Sequence, residues 1–499
     1  MPSGAGARRK SMDMDQGRDP SVATVQPASV NESARVLDEK SSSKRSGLSR
    51  AMKSRHIVMI GLGSAIGTGL FVGSGSAMAA AGPAVLLAYI VGGILVTLVM
   101  RMLGEMAAEA PSAGALSVFA DKALGRTVGS TIGWLWWAVM VVSVAAEATA
   151  AAAIVHSLWP AVSQWLLALV FLTSLTGLNL LGVAKFGETE FWFTLLKVGA
   201  ILAMFVVGGG ILLGWIPVDE PTGFGNLVDR GGFMPNGISG VASALLMVVF
   251  AFGGVEIAAI AAAETKDPAR NIGRAIRTIV LRIVVFYVGA VLIMLMVLPW
   301  NDSKLKESPF IAVLTFAGIP GAGTIMALVI VVALLSGLNA NVYGASRLLF
   351  SLSDRGCAPS QVTRVTGKGV PRIGVLLSVA FGFAAVMLNY IWPTLVLKYL
   401  LNAVGSGTVI IWFFVIITQF ILRRRMSTEK TNALAFKVWL FPYANYLALA
   451  ILGGIVVLTC FDDAGRSQLL TTFIVTAAIA VACRLFSRAP SPKPLEEQV

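Results

Sequence analysis

Apolar runs of roughly twenty residues recur from about residue 57 to residue 486, each long enough to cross a bilayer core of about 30 Å as a helix. That repetition decides the fold class before any motif is read. A soluble fold could not hide so much apolar surface; of 499 residues, 56% are hydrophobic and only 13% charged, as in multi-pass membrane proteins. Twelve spans are expected, at about 57–78, 83–103, 128–155, 163–183, 191–214, 240–263, 280–299, 322–350, 372–392, 397–422, 438–460 and 466–486. Lipid offers no partner to loose backbone groups, so each span is expected to be a helix. The alternating strands of a barrel would not give continuous apolar runs. The expected class is therefore an all-α membrane protein.

A formal charge of +13 would suggest nucleic acid in a soluble protein, but here the charge follows the membrane. With the N-terminus in the cytoplasm, most of the 39 Lys and Arg residues fall on the cytoplasmic side. Arg270, Arg274 and Arg277, and Arg423, Arg424 and Arg425, are then topogenic clusters. Twelve spans return the C-terminus to the same side, and no nucleic-acid partner is needed. Residues 1–52 carry Ser, Lys, Arg and Asp without helical periodicity and read as a disordered cytoplasmic tail, not a signal peptide. Residues 53–487 form the membrane domain and 488–499 a cytoplasmic C-terminal tail.

Several chemistries are not expected. No GxxxxGK[ST] loop occurs, so ATP does not power the protein directly. His56 and His156 are too few for a histidine metal site, and Cys357, Cys460 and Cys483 too dispersed for a disulfide framework. No serine has a histidine or carboxylate at a recognisable catalytic spacing, which argues against an enzyme. No metal and no cofactor are expected.

The first span carries "GLGSAIGTGLFVGSG" (61–75), six glycines where a membrane helix should be regular. A Rossmann reading fails, because the spacing is GxGxxxG and no strand precedes it. Close helix packing through Gly63/Gly67 and Gly69/Gly73 is one account. The other is a discontinuous helix, whose freed amides near Gly67, Thr68 and Gly69 face the bilayer middle and attract a carboxylate. Thr68 lies about 16 Å deep by helical rise, near the midplane. Span six repeats the feature: "FAFGGVEIAA" (250–259) places Gly253 and Gly254 mid-span, five spans after the first break. An inverted repeat of five helices would produce that offset. The first half of span six ends near Phe250, Ala251 and Phe252 with unpaired carbonyls suited to an ammonium. Two such breaks facing each other would hold an amino acid zwitterion.

Three spans bury an ionisable residue: Glu147 in span three, Lys197 in span five and Glu256 in span six. Each costs about 2.5 kcal/mol or more at a helix centre and is expected to face the bundle interior. Glu256 is either a proton carrier or an acceptor for helix ends freed by the break. Lys197, about 9 Å into its span, either snorkels to the interface or points inward, where it can release and regain a proton in place of a coupling sodium ion. Glu147, beside a run of small residues, is a candidate selectivity determinant.

At these residues the chain resembles the amino acid–polyamine–organocation transporters, and within them the bacterial amino acid permeases. The resemblance runs from about His56 to Phe486 and rests on "GLGSAIGTGLFVGSG", "AGPAVLLAY" (81–89), "RMLGEMA" (101–107), "FGETEFWFTLLKV" (186–198), "GGFMPNG" (231–237), "FAFGGVEIAAIAAAET" (250–265) and "ASRLLFSLSDRGCAP" (345–359). It implies a LeuT-type fold of two inverted five-helix repeats with discontinuous helices 1 and 6. Repeat one would cover about 57–214, repeat two about 240–422, and two extra helices about 438–486. It also implies alternating access and uptake driven by protons, with the proton as coupling ion.

The resemblance assigns the substrate carboxylate to Ala65, Gly67, Thr68 and Gly69, and its amine to Phe250, Ala251, Phe252 and Gly253. It places Lys197 at the coupling-ion position; Lys197 and Glu256 are the candidate proton-coupling residues. Within the family, "EATAAAAIVHSLWP" (147–160), "LTGLNLL" (175–181) and "GGFMPNG" are most similar to γ-aminobutyrate permeases. One departure is Gly337, where a member of that group carries a cysteine, altering the wall of span eight.

The function expected is import of γ-aminobutyrate or a related small zwitterion with protons across a bacterial cytoplasmic membrane, both termini inside. An aromatic or other neutral amino acid permease is the alternative within the class. A transporter-like amino acid sensor, with the N-terminal tail as output, is the alternative outside it. The partners are then a small-molecule amino acid and the lipid bilayer, and nothing in the sequence specifies an oligomer.

Overall fold

Every regular element among the described residues is helical, as the backbone of a chain in lipid requires. The computed structural model describes residues 54–64, 66–262, 271–273, 276, 284–306, 308–366, 369–391, 396–434 and 436–486, all within the unit Leu48–Val499. The tail expected at 1–52, Ala65, the clustered Arg270, Arg274 and Arg277, and the tail expected at 488–499 lie outside the described residues.

In chain order the helices are α1 (Ser54–Gly63), α2 (Ser74–Ala81), α3 (Val85–Glu109), α4 (Leu116–Leu124), α5 (Arg126–Leu158), α6 (Gln164–Leu180) and α7 (Val183–Leu212). There follow α8 (Gly237–Phe252), α9 (Ile257–Ala262), α10 (Ala290–Val297), α11 (Pro309–Phe316) and α12 (Ala322–Asp354). The last are α13 (Arg372–Ile391), α14 (Val396–Arg425), α15 (Tyr443–Thr459) and α16 (Asp463–Phe486). Among the described residues seven helical stretches are long and apolar enough to cross a membrane, and Gln164–Leu180, Val285–Val297, Arg372–Leu388 and Tyr443–Thr459 are shorter apolar helices. One of the seven, Gly69–Glu109, changes direction at Gly82, whose φ of 62° and following proline end α2 before α3 begins.

Helix interruptions fall at both glycine-rich positions. After α1 ends at Gly63, helical structure resumes as a π-helical turn, Gly69–Gly73, that leads into α2. π turns carry misaligned backbone carbonyls, and here two are taken by hydroxyls: Ser74 Oγ donates to the Leu70 carbonyl at 2.5 Å and Ser308 Oγ to the Phe71 carbonyl at 2.9 Å. The second interruption separates α8 from α9. Gly253 leaves the helix with φ −63° and ψ 155°, and Gly254 has φ 97°.

Packing puts both interruptions in the interior. α5 lies along α12 and also against α14, α1 packs on α7, and α8 packs on α2 and α14. The stretch Gly237–Ala261 around the second interruption is 83% buried, whereas the apolar window of Asp463–Leu485 is only 11% buried. Of the seven long apolar stretches, the most buried therefore carries a break and the least buried carries none. The apolar side chains that α16 exposes, such as Phe473, Ile474 and Leu485, form a surface suited to lipid and not to water. A second buried polar cluster acts as an anchor. Glu105 at the end of α3 pairs with Arg423 at 2.7 Å, accepts from Gln419 Nε2 at 2.9 Å and accepts the Val438 N–H at 2.6 Å, joining α3, α14 and the segment before α15. Sharing the carboxylate among three donors offsets the cost of burying it.

Candidate functional site

The two interruptions touch. An added methyl at Gly69 would strike the backbone of Ala251, and one at Gly254 would stand 2.5 Å from the Ser64 carbonyl oxygen. At Gly254 the positive φ independently favours glycine, so both conformation and space exclude a side chain. Glycine at these two positions lets the start of the outer half of one broken helix lie directly against the end of the first half of the other.

A small cavity of about 40 Å³ lies where they meet. Its wall includes Gly67, Thr68 and Gly69 from the first interruption and Phe250, Gly253, Gly254 and Glu256 from the second. Glu147 of α5 and Asn341 of α12 add polar groups, and Trp136, Met140 and Ile411 supply an apolar side. This mixture of a few convergent polar groups in an apolar pocket is the common form of small-molecule sites.

Glu147 occupies the donors at the first interruption. Thr68 Oγ1 donates to its Oε2 at 2.5 Å, and the Thr68 N–H points at its Oε1 at 3.4 Å. The carboxylate fits there because two helices lack side chains: a methyl at Gly67 would lie 2.7 Å, and one at Gly337 2.6 Å, from Glu147 Oε1. Gly337, the departure noted in the sequence, thus makes room for Glu147 on the α12 side.

Glu256 turns back on its own break. The Gly254 N–H donates to its Oε2 at 2.9 Å and the Trp412 indole N–H to its Oε1. Both oxygens are engaged, which is the geometry of an acceptor for a freed helix end.

Lys197 is fully buried and does not snorkel. Its Nζ donates to the Gly63 carbonyl at 2.5 Å, at the last residue of α1, and its charge acts on Glu190 and Glu147. It stands behind the first interruption and outside the cavity wall.

Ala251 and Phe252 also stand outside the wall. The Ala251 carbonyl accepts the Tyr287 hydroxyl at 3.0 Å, and the Phe252 ring packs edge-on against Tyr89 and tilted against Tyr287, with centroids 5.8 and 4.8 Å away. Of the residues expected at the amine end, the structure places Phe250 and Gly253 on the cavity. Phe250's carbonyl accepts the Gly253 N–H at 3.0 Å as the helix tightens.

Glu190 is a buried ionisable residue that sequence reasoning missed. It is 0% exposed on α7, and Ser336 Oγ donates to its Oε1 at 2.5 Å. The apolar run of span five starts at 191, so Glu190 falls just outside it, whereas α7 begins at Val183 and carries Glu190 inside the bundle. Its spacing from Lys197 was the available signal: seven residues are two helical turns, which put both on one face.

Comparison with known proteins gives a consistent result. A family model described as amino acid permease matches residues 56–488. The chain is 40% identical over 444 residues to the γ-aminobutyric acid permease of Bacillus subtilis, covering 89% of this chain and 95% of that protein. It is 43% identical over 433 residues to the aromatic amino acid transport protein AroP of Corynebacterium glutamicum, covering 86% and 93%. To the γ-aminobutyric acid permease of Escherichia coli it is 40% identical over 443 residues, covering 89% and 94%.

Proposed function

This chain belongs to the amino acid permease family, a family of membrane transport proteins, and on that premise we propose that it imports γ-aminobutyrate or a related small zwitterion together with protons. The observation that carries the reading is the contact of two helix interruptions around one buried cavity. Amides at the start of a half-helix suit a carboxylate, and carbonyls at the end of the other suit an ammonium.

In this reading Ala65, Gly67, Thr68 and Gly69 hold the substrate carboxylate, and Phe250 and Gly253 receive the amine. Ala251 and Phe252 shape that end from behind the wall. Glu147 already sits on Thr68, so an arriving carboxylate meets a like charge at 2.5 Å from the same hydroxyl. A proton on Glu147 relieves that repulsion, which gives this residue a part in selectivity and links binding to protonation. Lys197 takes the coupling-ion position: its ammonium holds the end of α1 through the Gly63 carbonyl, and losing a proton weakens that hold. Glu256, with both oxygens engaged, serves the second break as acceptor instead of carrying the proton.

The architecture proposed with this function is twelve spans in a LeuT-type arrangement, a membrane domain over 53–487 and alternating access. The seven long and four shorter apolar helices support it, as does the five-span offset of the interruptions. Both termini are cytoplasmic, the membrane is the bacterial cytoplasmic membrane, and the proton is the coupling ion with no other cofactor. The basic ends of α14 and of the preceding cytoplasmic loops support that orientation.

Import of an aromatic amino acid is the second reading. It is favoured by the 43% identity to AroP and by the Trp136, Met140 and Phe250 side of the cavity. Proteoliposomes with an inward proton gradient separate the two. Accumulation of labelled γ-aminobutyrate that excess phenylalanine does not diminish supports the first reading, and accumulation of phenylalanine the second. Accumulation of neither, or accumulation that needs sodium, overturns the proposal.

A further inference from the structure

Glu190 is buried on α7, outside the wall of the substrate cavity. Its Oε1 accepts from Ser336, but its Oε2 is buried without a hydrogen-bond partner among the described residues. The Asn339 amide nitrogen approaches it without forming a well-aligned bond, while Asn339 Oδ1 accepts from Asn179 at 2.8 Å. A carboxylate oxygen left open in a dry interior is costly, so it marks a group that acquires a partner at another stage of the cycle.

The surroundings name that partner as a proton. Lys197 stands two turns along α7 on the same face, and side chains of a helix lean toward its N-terminus, so the lysine stem leans toward Glu190. Gly63 sits between them: its carbonyl accepts Lys197 Nζ, and a methyl on it would lie 3.0 Å from Glu190 Oε1. One turn toward the start of α7, Gly187 packs on the His56 ring, with an added methyl 2.7 Å from Nδ1. His56 is 3% exposed, its Nε2 is 3.2 Å from Glu188 Oε2, and Glu188 is paired with Arg55 at the half-exposed end of the helix.

Buried ionisable groups therefore form a series from Glu147 of α5 through Lys197 and Glu190 on one face of α7 to His56 of α1, beside the half-exposed Glu188. On the facing side, Tyr343 of α12 stacks on Phe186 of α7 and Arg347 lies over the Tyr343 ring.

We infer that Glu190 is the relay through which the proton carried by Lys197 leaves the substrate level, with His56 as the next acceptor before solvent. This rests on the proton-coupled import proposed above. In the first transfer an N–H bond of the Lys197 ammonium breaks and an O–H bond forms at Glu190 Oε2, leaving a neutral amine and a neutral acid. In the second that O–H bond breaks and an N–H bond forms on the His56 ring. The resulting imidazolium gives its proton to solvent at the Glu188 end, which returns Glu190 and His56 to their starting forms and leaves Lys197 a neutral amine until the next proton enters with substrate from the outer side.

The test uses full-length protein in proteoliposomes, with whichever of labelled γ-aminobutyrate and phenylalanine the wild-type protein concentrates under an inward proton gradient. Glu190→Gln keeps the shape and the Ser336 bond but cannot take up a proton. It is expected to lower accumulation about tenfold or more and flatten the dependence of uptake on pH, while substrate-for-substrate exchange stays within about twofold of wild type. Glu190→Asp is expected to restore part of the accumulation, and His56→Gln to reproduce the loss more weakly.

Wild-type accumulation and an unchanged pH profile in Glu190→Gln would overturn the relay. So would equal loss of accumulation and exchange with no rescue by Glu190→Asp, the mark of a merely structural residue. Either result leaves the proposed function standing if Lys197→Ala still abolishes accumulation. Full accumulation by Lys197→Ala would remove the proton-coupling premise itself.

Discussion

The second helix interruption and the region beneath the first each bury a glutamate, Glu256 at 3% exposure and Glu190 at 0%, yet the fold serves them differently. At the second interruption the Gly254 N–H and the Trp412 indole saturate Glu256, and the result is a closed, stabilised corner. Beneath the first, Ser336 satisfies one oxygen of Glu190 and leaves the other open beside a buried lysine. Burial of a carboxylate is thus no measure of its role. The number of fixed donors around it separates a structural acceptor from a group placed to exchange a proton.

That difference can be broken in four places. The largest effect is expected at Gly254→Val, where φ of 97° and a Ser64 oxygen 2.5 Å from the first carbon leave no room. Backbone strain and overpacking together cost about 3 kcal/mol or more, enough to abolish folded protein in detergent by size-exclusion chromatography. A well-folded Gly254→Val protein would show that the two interruptions do not need to touch. Next is Lys197→Ala, expected to abolish gradient-driven accumulation while some substrate exchange persists. Undiminished accumulation would take Lys197 out of the mechanism.

Thr68→Val ranks third. Sequence reasoning alone would rate it mild, because backbone amides were expected to hold the substrate. The structure gives the hydroxyl a task, holding Glu147 at 2.5 Å, and its loss is worth about 1.5–3 kcal/mol of charge-assisted bonding. A several-fold change in the concentration for half-maximal uptake is expected, and none if Glu147 plays no part in binding. The smallest effect on transport is expected from Glu256→Gln. Losing its charge-assisted bonds should lower the thermal midpoint, at a cost of about 1–3 kcal/mol, and leave the pH profile of uptake unchanged. A shifted profile would erase the distinction between Glu256 and Glu190.

Much of this was legible in the sequence, for identifiable reasons. Glycine in a long apolar run is conspicuous, so both interruptions could be located, and Glu147, Lys197 and Glu256 stood out because a charge within such a run is rare. What periodicity does not carry is which side of a broken helix faces inward. Ala251 and Phe252 were expected at the amine end, but the turn of α8 sends one against Gly69 and the other into the Tyr89 and Tyr287 rings. Glu190 was invisible to an apolar window, because the first two turns of α7 carry Lys185, Glu188 and Glu190, and only packing on α1 and α12 turns Glu190 inward while Lys185 stays exposed. The slot for Glu147 was equally hidden, since it is made by two absent side chains, Gly67 and Gly337, far apart along the chain.

The central claim is that amino acid and proton move together through Lys197. The direct measurement is the internal pH of proteoliposomes holding a pH-sensitive dye, followed as external γ-aminobutyrate is added without an imposed gradient. Wild-type protein is predicted to acidify the lumen in step with uptake of label, and Lys197→Ala is predicted to give no acidification. Uptake by wild-type protein at constant internal pH, or equal acidification by Lys197→Ala, would contradict the account.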